Sequence, residues 1–153
     1  GEAIPAYDQA IAIGPSYADA WNNKGEALVN QGKYDEATQA FNKAIELDPN
    51  FAKAWSNKGV ALYSQGKYDE ATQAYNKAIE IDPQSAEAWN NKGYALDSQG
   101  KYEEAIQAYN KAIEINPQYA MAWNNKGYVL KLLGRTAEAD AAFAKAKELG
   151  YTD

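Results

Sequence analysis

The hexapeptide AWNNKG occupies residues 20–25 and returns at 88–93 and 122–127, with the near copy AWSNKG at 54–59. The four copies begin at positions 20, 54, 88 and 122, so each lies 34 residues after the one before. A motif that recurs at a constant interval of this size indicates a chain built from one repeated unit. Because a single unit cannot bury its own apolar face, the units must stack on one another.

Alignment of the units on their tryptophans brings several other positions into columns. The shared columns are Trp21, Trp55, Trp89 and Trp123; Gly25, Gly59, Gly93 and Gly127; Leu28, Leu62, Leu96 and Leu130; Gly32, Gly66, Gly100 and Gly134; Ala37, Ala71, Ala105 and Ala139; and the aromatic residues Phe41, Tyr75, Tyr109 and Phe143. Pro49, Pro83 and Pro117 end three of the units. These shared residues are the ones we expect to carry the fold.

Each unit reads as a pair of helices. Trp21, Gly25 and Leu28 follow the spacing of one face of a helix, which predicts a single buried stripe. Gly32 stands where a helix end needs a left-handed residue, and the acidic pair that follows suits the start of a second helix. Pro49 ends that second helix, because proline disfavours helix at the residue before it.

The order Trp, Gly, Ala, aromatic, Pro at a period of 34 resembles the tetratricopeptide repeat. Two columns depart from the family pattern: lysine precedes the first glycine, and leucine stands three residues after it. The resemblance implies an all-α fold, a right-handed α-solenoid of stacked antiparallel helix pairs. It also implies one continuous array over residues 1–153.

The two ends of the array differ from its middle. The expected boundaries are a lone second helix at 2–15, full units at 18–51, 52–85 and 86–119, and a C-terminal capping unit at 120–153. The lone helix, read as part of a truncated unit, is expected to expose Ala3, Tyr7 and Ala10. In the last unit Asp140 and Lys147 replace apolar or uncharged residues of the other units, as suits a solvated outer face.

Composition excludes several classes of function. The chain has no cysteine and no histidine, which removes thiolate chemistry, thiolate zinc sites and the commonest proton-transfer side chain. We therefore expect no enzyme activity, no metal and no cofactor. A net charge of −6 disfavours nucleic acids and anionic membranes as partners. With no signal peptide, membrane-spanning segment or cysteine in the sequence, we expect a cytoplasmic location.

The repeats differ from one another mainly on one face of the first helix, opposite Trp and Leu. In the tetratricopeptide family this face lines a concave groove that binds partner peptides, and the resemblance implies the same here. The candidate groove residues are Asn22, Asn23, Glu26, Lys53, Asn57, Val60, Tyr63, Glu87, Asn90, Asn91, Tyr94, Asp97, Asn124, Asn125, Tyr128 and Lys131. Their mixture of aromatic, amide and charged groups predicts a protein or extended peptide as partner.

One groove column, Asn23, Asn57, Asn91 and Asn125, does not vary. Its amides can pair with a peptide backbone, as in the asparagine rows of related arrays, or they can bridge neighbouring helices; the sequence leaves both open. The carboxylate clamp of chaperone-binding relatives is not matched. Counted from Ala18, only Asn57 fits that clamp, and counted one unit later, only Asn91 fits.

Three further interpretations stay open. Lys24, Lys58, Lys92 and Lys126 form either a cationic row for an acidic partner, or packed stems whose ammonium groups reach water or the glutamates Glu46, Glu80 and Glu114. The exposed apolar seam of the lone N-terminal helix allows self-association into a homo-oligomer as an alternative to peptide binding. The near identity of the units also allows a trimmed or engineered scaffold.

Overall fold

Helix pairs joined by tight glycine turns make up the fold of this chain. The computed structural model describes residues 3–14 and 17–152, and all secondary structure in them is α-helical, as predicted. The helices are α1 (Ala3–Ile13), α2 (Ala18–Asn30), α3 (Tyr34–Leu47), α4 (Ala52–Ser64), α5 (Tyr68–Ile81), α6 (Ala86–Ser98), α7 (Tyr102–Ile115), α8 (Ala120–Leu132) and α9 (Thr136–Glu148). They lie in two compact units, Gly1–Asp82 and Pro83–Asp153.

In unit 1 the pairs α2–α3 and α4–α5 pack as helical hairpins, α1 packs on α2, and α3 packs on α4. Its core contains Leu28, Ala40, Phe41 and Ala61, each at most 3% exposed. Because small alanines alternate with one large ring, the helices approach each other closely and the ring fills the space between them.

In unit 2 the pairs α6–α7 and α8–α9 pack in the same way, and α7 packs on α8. The core is built around Tyr109 and Leu130, which are 0% and 1% exposed, with Trp89, Trp123 and Phe143 partly buried against it. The columns shared by the repeats thus supply the core, as the sequence analysis predicted.

The turn within each pair follows one design, seen at Gly66. This residue has φ of +75°, a conformation that glycine adopts without steric cost. The Lys67 amide donates to the Leu62 carbonyl at 3.0 Å, and the Gly66 amide donates to the Tyr63 carbonyl at 2.8 Å. These two bonds satisfy the last carbonyls of α4 and turn the chain back for α5.

The shared tryptophans and lysines stack beside each other. The Lys58 ammonium lies 5.2 Å from the centre of the Trp55 ring, and Lys92 lies 5.1 Å from that of Trp89. The Trp55 indole also donates to the Pro49 carbonyl at 3.0 Å, which ties the loop to α4. Burial lowers the pKa of Lys58, although Glu70 acts in the opposite direction. The packed-stem interpretation of this lysine row is therefore the one that agrees with the structure.

The glutamate partners expected for these lysines were wrong. All three glutamates instead pair with a lysine on their own helix: Glu46 with Lys43 at 2.7 Å, Glu80 with Lys77 at 2.8 Å, and Glu114 with Lys111 at 2.9 Å. Lys24 pairs with Asp8 at 2.6 Å. The reason is helical geometry, because residues three apart on one helix are neighbours.

The ends show how α1 differs from the complete units. Tyr7 and Ala10 are half-buried, whereas their counterparts Phe41 and Ala44 are fully buried. The Ala3 side chain, and residues 2, 15 and 153 of the expected boundaries, lie outside the described residues. Asp140 and Lys147 of α9 are exposed. None of the helices in the described part is long and apolar enough to span a bilayer.

Candidate functional site

The groove face of unit 1 is held by a polar network centred on Glu26. Its Oε1 accepts hydrogen bonds from Asn22 Nδ2 at 3.1 Å and Asn57 Nδ2 at 2.8 Å, and pairs with Lys53 Nζ at 2.8 Å. Asn57 Nδ2 also donates to Asn22 Oδ1 at 3.0 Å. The network therefore joins α2 to α4 across the repeat boundary.

This network perturbs the titration of Glu26. Burial raises the pKa of its carboxyl, but hydrogen bonds from Lys53, Asn22 and Asn57 lower that pKa by more, and the net pKa lies below its ordinary value. The ionised form is thus the one that the fold stabilises. Glu26 acts as an anchor between repeats in this structure.

The structure distinguishes the two interpretations of the invariant asparagine column at two positions. Asn57 uses both amide hydrogens on Asn22 and Glu26, and Asn125 Nδ2 donates to Asn90 Oδ1 at 3.1 Å. These asparagines bridge neighbouring first helices. An amide group has only two hydrogens, so Asn57 has none left for a peptide backbone in this arrangement.

Several candidate groove residues lie deeper than the sequence suggested. Asn22, Asn90 and Asn124 are 1%, 2% and 5% exposed, and Asn22 and Asn90 accept the bridging bonds described above. The half-buried members are Asn23, Glu26, Asn57, Val60, Tyr63, Asn91, Asp97 and Asn125, while Lys53, Glu87, Tyr94, Tyr128 and Lys131 are exposed. The Tyr63 ring packs on Tyr68, with centroids 5.1 Å apart.

Unit 2 has an open groove on the face of α6 and α8. Its volume is about 860 Å³, and its lining consists of Tyr94, Asp97, Asn124, Asn125, Tyr128, Lys131, Leu132 and Tyr151. Tyr94, Tyr128 and Leu132 are 46%, 53% and 64% exposed, which is unusual for side chains of this size. Apolar and aromatic surface therefore lines a concavity that is open to a partner.

The groove continues towards the C-terminal end of unit 2. An adjoining cavity of about 700 Å³ shares Asn124, Tyr128, Lys131 and Tyr151 and adds Phe143 of α9. The Tyr128 ring lies edge-on to Phe143, with centroids 5.2 Å apart. This contact holds the ring of Tyr128 in place while about half of the side chain stays exposed.

Two lining residues were missed by the sequence analysis. Leu132 occupies a column in which the other repeats have Asn30, Ser64 and Ser98. An apolar residue in a polar column is a difference that the sequence alone shows. Tyr151 follows α9 and is placed by a bond from its amide to the Ala146 carbonyl at 3.0 Å. No repeat column predicts it, because the chain after α9 has no counterpart with the same backbone.

The charges of the groove in unit 2 are unevenly solvated. Lys131 is exposed, whereas Asp97 is half-buried, and burial raises the pKa of its carboxyl above the ordinary value. Burial, followed by the negative charge of Glu87, likewise raises the pKa of Tyr119, which precedes α8. Within the described residues, no three His, Cys, Asp or Glu side chains come together as a metal site would require.

A second kind of cavity lies beside the tryptophan stripe of three repeats. The cavities have volumes of about 470, 420 and 490 Å³, and each is lined by a Trp, Lys and Leu of the first helix and by Glu, Gln and Asn of the second. Their lining residues are the same in all three repeats. A surface without variation cannot distinguish one position along a partner from another, so the groove of unit 2 is the stronger candidate.

Comparison with known proteins agrees with this architecture. Family models described as tetratricopeptide repeat match residues 1–50 and 27–86, residues 86–119, and residues 108–141. A search of curated proteins finds no match.

Three solved structures are similar to this chain. A crystal structure of MamA is 28% identical over 95% of this chain and 85% of that chain, with a TM-score of 0.87. MamA 41-end from Desulfovibrio magneticus RS-1 is 23% identical, covers 97% and 96%, and shares the fold with a TM-score of 0.81. The first TPR of Spaghetti (RPAP3), bound to the HSP90 peptide SRMEEVD, is 27% identical over 76% and 93%, with a TM-score of 0.74. The chain belongs to the tetratricopeptide repeat family.

Proposed function

We propose that this chain is a non-catalytic scaffold that binds an extended segment of a partner protein in the groove of unit 2. The observation that carries the proposal is the exposure of Tyr94, Tyr128 and Leu132 around one cavity. Exposed apolar and aromatic side chains that line a concavity are typical of an interaction site. Within this groove, α6 and α8 would hold the segment.

The energetics favour aromatic contacts over the asparagine column. Micromolar binding requires about 8 kcal/mol, and one hydrogen bond contributes about 0.5–1.5 kcal/mol. Asn57 and Asn125 are already engaged with other side chains of the chain. Tyrosine rings bury large apolar areas at low entropic cost, so Tyr94, Tyr128 and Tyr151 would supply most of the affinity.

The related complex supports peptide binding but not the same ligand. The RPAP3 repeat domain is bound to an HSP90 peptide, and its chain is 27% identical to this one. A carboxylate clamp counted from Ala18 would retain only Asn57, whose amide hydrogens are donated to Asn22 and Glu26. We therefore expect a partner other than a chaperone tail.

A display selection with random peptides tests the proposal. The intact chain and its Tyr128→Ala variant serve as baits, and Tyr17→Ala, which removes an equally exposed tyrosine from unit 1, serves as the matched control. We expect enrichment of shared motifs on the intact chain and the control, with loss of at least about tenfold in affinity for Tyr128→Ala. Equal enrichment on all three, or on none, would contradict a groove in unit 2.

Self-association is the second candidate, and the half-buried face of α1 favours it. Tyr7 and Ala10 are more exposed than their counterparts Phe41 and Ala44, so a helix of a second copy could cover them. Sedimentation over a wide concentration range measures this directly. A chain that stays monomeric at high concentration would exclude the homo-oligomer.

A further inference from the structure

Asp97 is an unusual residue of the groove in unit 2. It lies in the last turn of α6 and lines the cavity together with Tyr94 and Tyr128. Among the described residues, no hydrogen-bond donor or ion-pair partner reaches its carboxylate. Desolvation is the only cause of its raised pKa, so no neighbouring cation offsets the burial.

The fold does not require a carboxylate at this position. The same column holds Val29, Tyr63 and Lys131 in the other repeats, and all four first helices form. A negative charge in the last turn also opposes the helix dipole, whose negative end lies there. Both the burial and the dipole disfavour an ionised carboxylate at this position, and a disfavoured charge in a groove is typical of a functional site.

We propose that the groove of unit 2 selects a partner segment that places an arginine side chain on Asp97, between the rings of Tyr94 and Tyr128. This inference rests on the proposed function. A guanidinium can bind a carboxylate through two hydrogen bonds and stack on a tyrosine face at the same time. The segment's cation would replace the solvation that Asp97 lost on folding, and the rings would add a cation–π attraction.

Lys131 lines the same groove but does not alter the choice of ligand charge. Its side chain is exposed, so its ammonium has kept its solvation in the folded chain. An exposed ion pair contributes little to binding, whereas a half-buried carboxylate without a cation gains more from one. Asp97, and not Lys131, is therefore the charge that discriminates between partner side chains.

Two fluorescein-labelled pools of ten-residue peptides provide the test. Their central position is arginine in one pool and citrulline, its neutral isostere, in the other, and the flanking positions are randomised among Leu, Tyr, Ala, Ser and Gln. Fluorescence anisotropy with the full chain should show the arginine pool binding about tenfold more tightly. Asp97→Asn should remove that preference, and Asp140→Asn, which makes the same charge change at an exposed position of α9, should retain it.

The outcomes separate this inference from the proposed function. Equal binding of both pools to the intact chain would overturn the arginine site but leave peptide binding in place. Binding of neither pool would overturn both. A thermal melt adds an independent readout: Asp97→Asn should raise Tm because it removes the half-buried charge, and a lower Tm would show a structural role for Asp97 and overturn the proposal.

Discussion

Each first helix carries one glycine that packs against an aromatic ring of the second helix. At Gly59 an added Cβ would lie 2.5 Å from Tyr75 Cε1 and 2.8 Å from Cδ1, which is closer than real Cβ atoms come to a ring. Tyr75 is 2% exposed, so its ring is enclosed by other atoms of the core. The glycine column is therefore a packing requirement of the helix pair.

Gly59→Ala should lower the free energy of unfolding by about 1–2 kcal/mol. Overpacking costs about 1–3 kcal/mol, and the better helix propensity of alanine returns up to about 1 kcal/mol. Urea unfolding followed by circular dichroism measures the change. Gly14→Ala is the control, because its Cβ would meet nothing nearer than the Ala10 carbonyl at 3.9 Å. Equal stability of the two variants would contradict the packing argument.

At the scale of the helices, polar side chains and not only apolar ones join neighbouring repeats. Glu26 on α2 accepts a hydrogen bond from Asn57 of α4 and forms an ion pair with Lys53 of the same helix. Asn90 on α6 accepts a hydrogen bond from Asn125 of α8. Hydrogen bonds of this kind depend on direction, so they fix how far one first helix slides along the next. Apolar packing alone would allow more freedom.

Glu26→Gln should change how stability depends on pH. The folded pKa of Glu26 lies below its ordinary value of 4.5, so its contribution is present above that pH and is lost as the pH falls through the folded pKa. The stability difference between wild type and variant should therefore persist above pH 4.5 and shrink as the pH falls below that value. Chemical denaturation across this range measures it.

The control for this comparison is Glu80→Gln, which breaks an exposed ion pair of α5 with Lys77. Exposed ion pairs contribute about 0–1 kcal/mol to stability. At neutral pH, Glu80→Gln should therefore lower the free energy of unfolding by less than Glu26→Gln does. A difference for Glu26→Gln that stays constant over the whole pH range would contradict the network as described.

At the scale of the whole molecule, the net charge of −6 affects how tightly the chain binds a basic segment. An acidic surface attracts cationic ligands, and salt screens that attraction. The arginine pool should bind several-fold more weakly when ionic strength rises from about 0.05 M to about 0.5 M. The binding of the citrulline pool should change little between the two ionic strengths. Anisotropy titrations at both salt concentrations check this, and parallel losses for the two pools would contradict it.

Much of the fold was predictable from the repeat alone. The tryptophan, glycine and leucine columns imply helix faces, and the glycine after each first helix implies the turn that Gly66 adopts. Those inferences need only local geometry, because a helix turn and a left-handed glycine each depend on a few consecutive residues. Repetition then strengthens each signal, and the all-α prediction is confirmed.

The candidate site was less predictable. Helical spacing places Asn22, Asn90 and Asn124 on the groove face but does not show that the three are nearly fully buried. It also gives no position for Tyr151, which reaches the groove from beyond α9. Depth and neighbourhood depend on how one repeat covers the next, and no pattern within a repeat contains that information.

The sequence by itself determined the period, the helix pairs, the core columns and the family of this chain, because these follow from spacing and from local backbone preferences. Only the tertiary structure decided how the groove residues are used. Packing of α4 against α2 engages Asn57 internally, whereas the arrangement of α6, α8 and the chain after α9 leaves Tyr128 and Leu132 exposed beside the half-buried Asp97. The reason is that burial and hydrogen-bond partners arise between elements distant in sequence.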